Sequence, residues 1–111
     1  MYKYHFRPGY KSQELLIDIF DGAESDNFNS DLLSAIDELN PRMIDILDFW
    51  MNDDIIMTFD SDAGQFTISK DIWGFAFIMA ESNQEVLARI NSILENSEMF
   101  EKVEVDFENY K

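Results

Sequence analysis

Asp54-Ile-Ile-Met-Thr-Phe-Asp60, Ser61-Asp-Ala-Gly64, Gln65-Phe-Thr-Ile-Ser69 and Trp73-Gly-Phe-Ala-Phe-Ile-Met-Ala80 follow one another near the middle of this 111-residue chain, and their reading decides the fold. Ile55, Met57 and Phe59 alternate with Ile56, Thr58 and Asp60. Phe66 and Ile68 alternate with Gln65, Thr67 and Ser69. Both are period-two patterns of strands. Gly64, near the end of a short Asp/Ser loop, supplies the positive φ that a tight connection needs, so the two strands form a β-hairpin.

Trp73 to Ala80 divides into a bulky face (Trp73, Phe75, Phe77, Met79) and a small one (Gly74, Ala76, Ile78, Ala80). Apolar residues on both faces suit a central strand, with the bulky face expected toward the core and the small face where another element packs close. Ser82-Asn-Gln-Glu85 then fits a capping box. Val86, Leu87, Ile90, Ile93 and Leu94 make one apolar helical stripe that fades near Asn96. In Glu101–Phe107, Val103, Val105 and Phe107 alternate with Lys102, Glu104 and Asp106, the pattern of a strand with one solvated side.

Upstream, Tyr2, Tyr4 and Phe6 alternate with Lys3, His5 and Arg7, a strand stopped by Pro8-Gly9 and expected at an edge or beside the C-terminal strand. Residues 12–21 satisfy two patterns. Leu15, Leu16, Ile19 and Phe20 suit a helix capped by Ser12 and stopped by Gly22, the reading favoured, whereas Leu15, Ile17 and Ile19 alternate as in a strand. Ser30–Leu39 reads as a helix with Leu32, Leu33, Ile36 and Leu39 on one face, ended by Asn40-Pro41. In residues 42–51 the polar Arg42, Asp45, Asp48 and Asn52 recur every three or four, which favours a helix. The alternative is a strand paired with Asp54–Asp60 through Asn52-Asp53. The expected fold is α+β over 1–111 as one domain: a single, mainly antiparallel sheet of about four to five strands, two to four helices packed on it, and a C-terminal unit of β-hairpin, strand, helix and strand.

The chain has 46% hydrophobic residues, ten Phe and two Trp, which argues for a packed core, and it has no cysteine, so neither disulfides nor thiolate metal sites hold it. Its start, Met1-Tyr-Lys-Tyr-His-Phe-Arg7, lacks the apolar run of a signal peptide, and no stretch reaches membrane-spanning length, so a cytoplasmic protein without membrane contact is expected. The formal net charge is −15. Ser12–Ser69 holds 14 of the acids against a single base, Arg42.

Chemistry-bearing motifs are few. His5 is the sole histidine and reads as structural. Asp60-Ser-Asp-Ala-Gly64 begins like a calcium loop but fails it, with Gly64 at the third ligand position, Gln65 where glycine is required and Asp71 where glutamate is required. Adjacent acids such as Asp53-Asp54 and Asp37-Glu38 need burial to divide acid and base roles. Gly22, Gly64 and Gly74 are too scattered to cradle phosphate. No catalytic residue, cofactor or metal is expected, and Trp50, between Asp48 and Asp53, reads as core or as an aromatic anchor for a partner.

Charge disfavours direct nucleic-acid binding, which needs a basic footprint. It fits the reverse: a carboxylate surface complementary to the basic groove of a protein that itself handles nucleic acid. In size, acidity, lack of cysteine and the segments Asp62-Ala-Gly-Gln-Phe-Thr-Ile-Ser-Lys-Asp71, Trp73–Ala80 and Met99-Phe-Glu-Lys-Val-Glu-Val-Asp-Phe107, about half the chain, the sequence resembles the small acidic immunity proteins of bacterial contact-dependent growth inhibition and polymorphic toxin systems. The resemblance implies a cytoplasmic antitoxin that binds a cognate toxin domain, often a nuclease, without catalysis; no site residue is carried over from it. The contact surface expected from charge is Glu24, Asp26, Asp37, Glu38, Asp45, Asp48, Asp53, Asp54, Asp60 and Asp62, with Trp50 as anchor. The alternatives are a nucleic-acid mimic acting on another DNA- or RNA-binding protein and a small enzyme or ligand-binding domain.

Overall fold

A computed structural model describes residues 2–8, 14–23, 25–49, 54–71, 75–80 and 84–104. Among them are seven strands, β1 (Tyr2–Pro8), β2 (Leu15–Asp21), β3 (Arg42–Phe49), β4 (Asp54–Asp60), β5 (Phe66–Lys70), β6 (Ala76–Met79) and β7 (Phe100–Lys102). Two helices, α1 (Phe28–Ala35) and α2 (Gln84–Glu95), and a 3-10 turn at Asp37–Leu39 complete them. The strands form one sheet in the order β3-β4-β5-β6-β2-β1-β7. Every pairing is antiparallel except β1 with β7. The chain is therefore α+β, with seven strands among the described residues rather than four or five and a mixed sheet, because two segments expected as helices are strands.

The first is β2. Ile17 pairs with Phe6 on one side and Ile78 on the other, and Ile17 and Ile19 are fully buried, so the alternating pattern prevails over the helical one. Two flanking strands bury both isoleucines, which a weak local preference for helix cannot match. The second is β3. Arg42 pairs with Asp60 and Asp45 with Thr58, so two residues three apart on β3 face two residues two apart on β4, the register stepping by one at Ile44. That extra residue puts Arg42 and Asp45 on one face of a strand although their spacing reads as helical.

The β4–β5 hairpin forms as expected, Gly64 having φ 117° and its N–H donating to the Ser61 carbonyl at 3.0 Å. α1 and the 3-10 turn occupy the stretch read as one helix, and Asn40, in the left-handed conformation at φ 51°, ends it. α2 presents Val86, Leu87, Ile90 and Leu94 to the core; Ser82 of the expected capping box lies outside the described residues.

β6 faces the opposite way from expectation. Ala76, Ile78 and Ala80 join Tyr4, Ile17, Ile19, Ile68 and the α2 stripe in the core, whereas Phe77 and Met79 are half-buried on the other face and Phe75 is exposed. Helices approach a sheet most closely over small side chains, so the small face is the covered one. Trp73 and Gly74 lie outside the described residues. β7 is also shifted: Phe100 is its buried residue, Val103 follows the strand and donates its N–H to the Tyr4 carbonyl at 2.8 Å, and Val105 and Phe107 lie outside the described residues.

Candidate functional site

The surface that stands out is the outer edge of the sheet. Among the described residues β3 is hydrogen-bonded to no strand but β4, and Met43, Ile44, Ile46 and Leu47 are each about half exposed (49–53%). Met43 and Ile46 lie opposite Phe59 and Met57 on the helix-covered face, and Leu47 lies opposite Ile56 on the other, so this strand is apolar and open on both sides. Ile55 of β4 extends the strip. A run of large aliphatics at an edge differs from the scattered apolar residues of an ordinary surface.

Acids border this strip. Asp60 pairs with Arg42 at the start of β3, with their side chains 3.4 Å apart and both well exposed. The turn after β4 is tied to the 3-10 turn: the Asp62 N–H donates to the Leu39 carbonyl at 2.8 Å and the Asn40 amide donates to the Asp62 carboxylate at 2.6 Å. Asp37 and Glu38, both exposed, are thereby held at the same end as Asp60 and Asp62. Asp45, exposed in mid-strand, accepts the Ile46 N–H at 2.9 Å, which lays its carboxylate along the strand backbone. At the far end, Asp48 pairs with Ile55 and Phe49 with Asp54, six residues and so about 20 Å along β4 from Asp60.

The fold thus ties the turn that carries Asp37 and Glu38 to the end of the β3–β4 hairpin that carries Asp60 and Asp62, with Glu38 also beside Ser92 and Asn96 of the α2 end; Asp45 stands in mid-strand, and Asp48 and Asp54 occupy backbone positions at the far end of the hairpin. It sets Asp26 apart, exposed before α1 and at the opposite end of that helix from Asp37. Glu24, Trp50 and Asp53 lie outside the described residues. What charge reasoning missed is the aliphatic strip itself, because the helical spacing of Arg42, Asp45, Asp48 and Asn52 favours a helix over residues 42–51 and says nothing of an outer strand. The available signal was Asp45 and Asp48 interrupting an otherwise apolar run: such a strand cannot be central, and an edge is where it fits.

Other polar groups are absorbed by the fold. Arg7 Nε and Nη2 donate to one oxygen of Asp18 at 3.2 and 3.1 Å, and both side chains are largely buried. The second Asp18 oxygen, Oδ1, is buried without a hydrogen-bond partner. His5 donates from Nδ1 to the Val103 carbonyl at 2.8 Å and stacks on Phe20 at 4.3 Å, a structural role. A depression of about 580 Å³ is lined by Tyr2, Gly22, Ser25, Asp31, Glu98 and Met99, and there Asp31 accepts the Tyr2 hydroxyl. Among the described residues no group of three acids or histidines is placed to hold a metal ion. No helix there is long and apolar enough to cross a membrane.

No family model, curated protein or solved structure matches this chain. The functional reading therefore rests on the surface just described.

Proposed function

We propose that this protein is an inhibitor that works by binding, an immunity-type antitoxin that covers the basic surface of a cognate toxin domain. A nuclease is the toxin class that fits best, since a groove made for phosphates is made for carboxylates too. The observation that carries the reading is the exposed aliphatic strip of β3 with Asp45 within it and Asp60 and Asp62 at its end, to which the exposed Asp37–Leu39 turn is tied. An apolar centre with a charged border is how tight interfaces divide their work: the centre supplies affinity and the border steers approach and rejects wrong partners.

The experiment is co-expression with the product of the neighbouring gene. The expected outcome is that cells carrying both survive, cells carrying the neighbour alone do not, and the two proteins copurify. Asp37→Asn, Glu38→Gln and Asp45→Asn together keep the hydrogen-bond acceptors and remove three charges. Association should slow strongly at 0.01 M salt, where the Debye length is about 30 Å, and weakly at 1 M, where it is about 3 Å. Equal rates for both forms at low salt would sink the reading.

A further inference from the structure

From the geometry of β3 we infer that the partner docks by strand addition: it lays an extended segment, apolar in its middle and rich in lysine or arginine toward its ends, antiparallel or parallel along the outer edge of β3. The inference rests on the binding reading above and deepens it by naming the kind of segment that is bound. β3 has eight residues, more than any other strand described, and among the described residues no strand pairs with it on the side away from β4, an edge of about 26 Å; the Ile46 N–H there donates to the Asp45 carboxylate, which an added strand would displace. Natural edges are blunted by shortness, proline, charge or a bulge; at β3 the exposed Asp45 and the register step at Ile44 take that place. An added strand would gain main-chain hydrogen bonds from the edge, while its side chains would cover Met43 and Ile46 on one face and Leu47 on the other.

Charge decides the occupant. Residues 42–62 carry Asp45, Asp48, Asp53, Asp54, Asp60 and Asp62 against Arg42 alone. A second copy of this chain would bring the same acids and a formal charge of −15 against them. A cationic segment instead meets Asp60 and Asp62 at one end of the hairpin and Asp45 in the middle, with aliphatics beside them.

The probe is a blocked ten-residue peptide, KRVIKVIVKR, compared with the same peptide N-methylated at alternate backbone nitrogens. The second form keeps every charge and side chain but cannot complete a ladder. Binding to the full-length chain is followed by fluorescence anisotropy and by hydrogen exchange of the amides at 42–49. The inference expects the unmodified peptide to bind, N-methylation to weaken it at least tenfold, and exchange at 42–49 to slow. It also expects Ile44→Lys with Ile46→Lys, both at exposed positions, to weaken binding by a similar factor while leaving the thermal midpoint close to that of the parent. Equal affinity of both peptides, each lost with salt, would overturn strand addition and leave the acidic binding surface standing. Failure of the peptide to bind while the cognate partner copurifies would have the same meaning. If neither peptide nor partner binds, both readings fall, and slow exchange at 42–49 in the chain alone, rising with its concentration, would make the occupant a second copy and overturn the proposal.

Discussion

Gly22 closes the turn after β2 with φ 95°, and a Cβ built there would lie 2.5 Å from the Cδ1 of Tyr2. Two separate forces therefore hold glycine at this position. The left-handed backbone alone disfavours alanine by about 1–2 kcal/mol. The contact adds to this, because the Tyr2 ring cannot retreat freely: it packs edge-on against Phe28 at 5.4 Å and against Phe100 at 5.0 Å. Gly22→Ala should lower the urea midpoint by the equivalent of roughly 2–4 kcal/mol, backbone and overpacking together. In a Tyr2→Ala background the same change should cost about half as much, the signature of two residues in contact; equal costs in both backgrounds would show that the ring plays no part. Tyr2 and Tyr4 carry a second consequence. Burial pushes both phenols above their usual range, and at Tyr2 the hydrogen bond to Asp31 adds to the effect. The folded state thus keeps its protons where the unfolded chain, with phenols near pH 10, gives them up. Stability from this source is intact below about pH 10 and falls as pH rises beyond it. Ultraviolet titration should show these two tyrosinates appearing only together with loss of the native circular dichroism; tyrosinate from both in a folded chain would contradict the burial.

At the scale of elements, what the sequence makes legible is what local pattern alone determines. The β4–β5 hairpin, with its alternation and Gly64, and α2, with its stripe from Val86 to Leu94, are each specified by their own residues. β2 and β3 are not. Ile17 is a strand residue because Phe6 and Ile78 flank it, neighbours that lie 11 and 61 positions away. β3 imitates a helix because the register step at Ile44 stretches a polar spacing of two into one of three. The facing of β6 was hidden for a related reason: alternation says that two faces exist, and only the place of the helices says which one they cover. The candidate site was legible to the same degree. Asp37, Glu38, Asp60 and Asp62 could be named from charge, but their meeting depends on the link from the Asp62 N–H to the Leu39 carbonyl, and the apolar strip they border appears only once 42–49 is known to be an outer strand.

For the molecule as a whole, the surplus of negative charge is a strain on the fold and, on the binding reading proposed above, the means of finding a partner. The ion pairs among the described residues are Arg7–Asp18, Arg42–Asp60, Lys102–Glu95 and Lys102–Glu104. Of these, Arg7–Asp18 is the one with both side chains largely buried, where salt hardly reaches it. Lys102 holds the Glu95 carboxyl below its usual range through a 2.7 Å hydrogen bond, but exposed pairs of this kind contribute only about 0–1 kcal/mol. Screening therefore removes little attraction and much repulsion, since 23 acids face 8 bases. The thermal midpoint should rise as sodium chloride is raised from about 0.01 M to about 0.15 M, as the Debye length contracts from about 30 Å to about 8 Å. A cationic partner seated on the β3–β4 hairpin would relieve part of the same repulsion, so the stabilisation it gives should be greatest at low salt and shrink as salt rises. Scanning calorimetry of the chain alone, and with the partner across that salt range, separates the two contributions. A midpoint that falls as salt is added to the free chain would mean that its attractive pairs outweigh its repulsion, and the surplus charge would then have to be explained by something other than a partner that neutralises it.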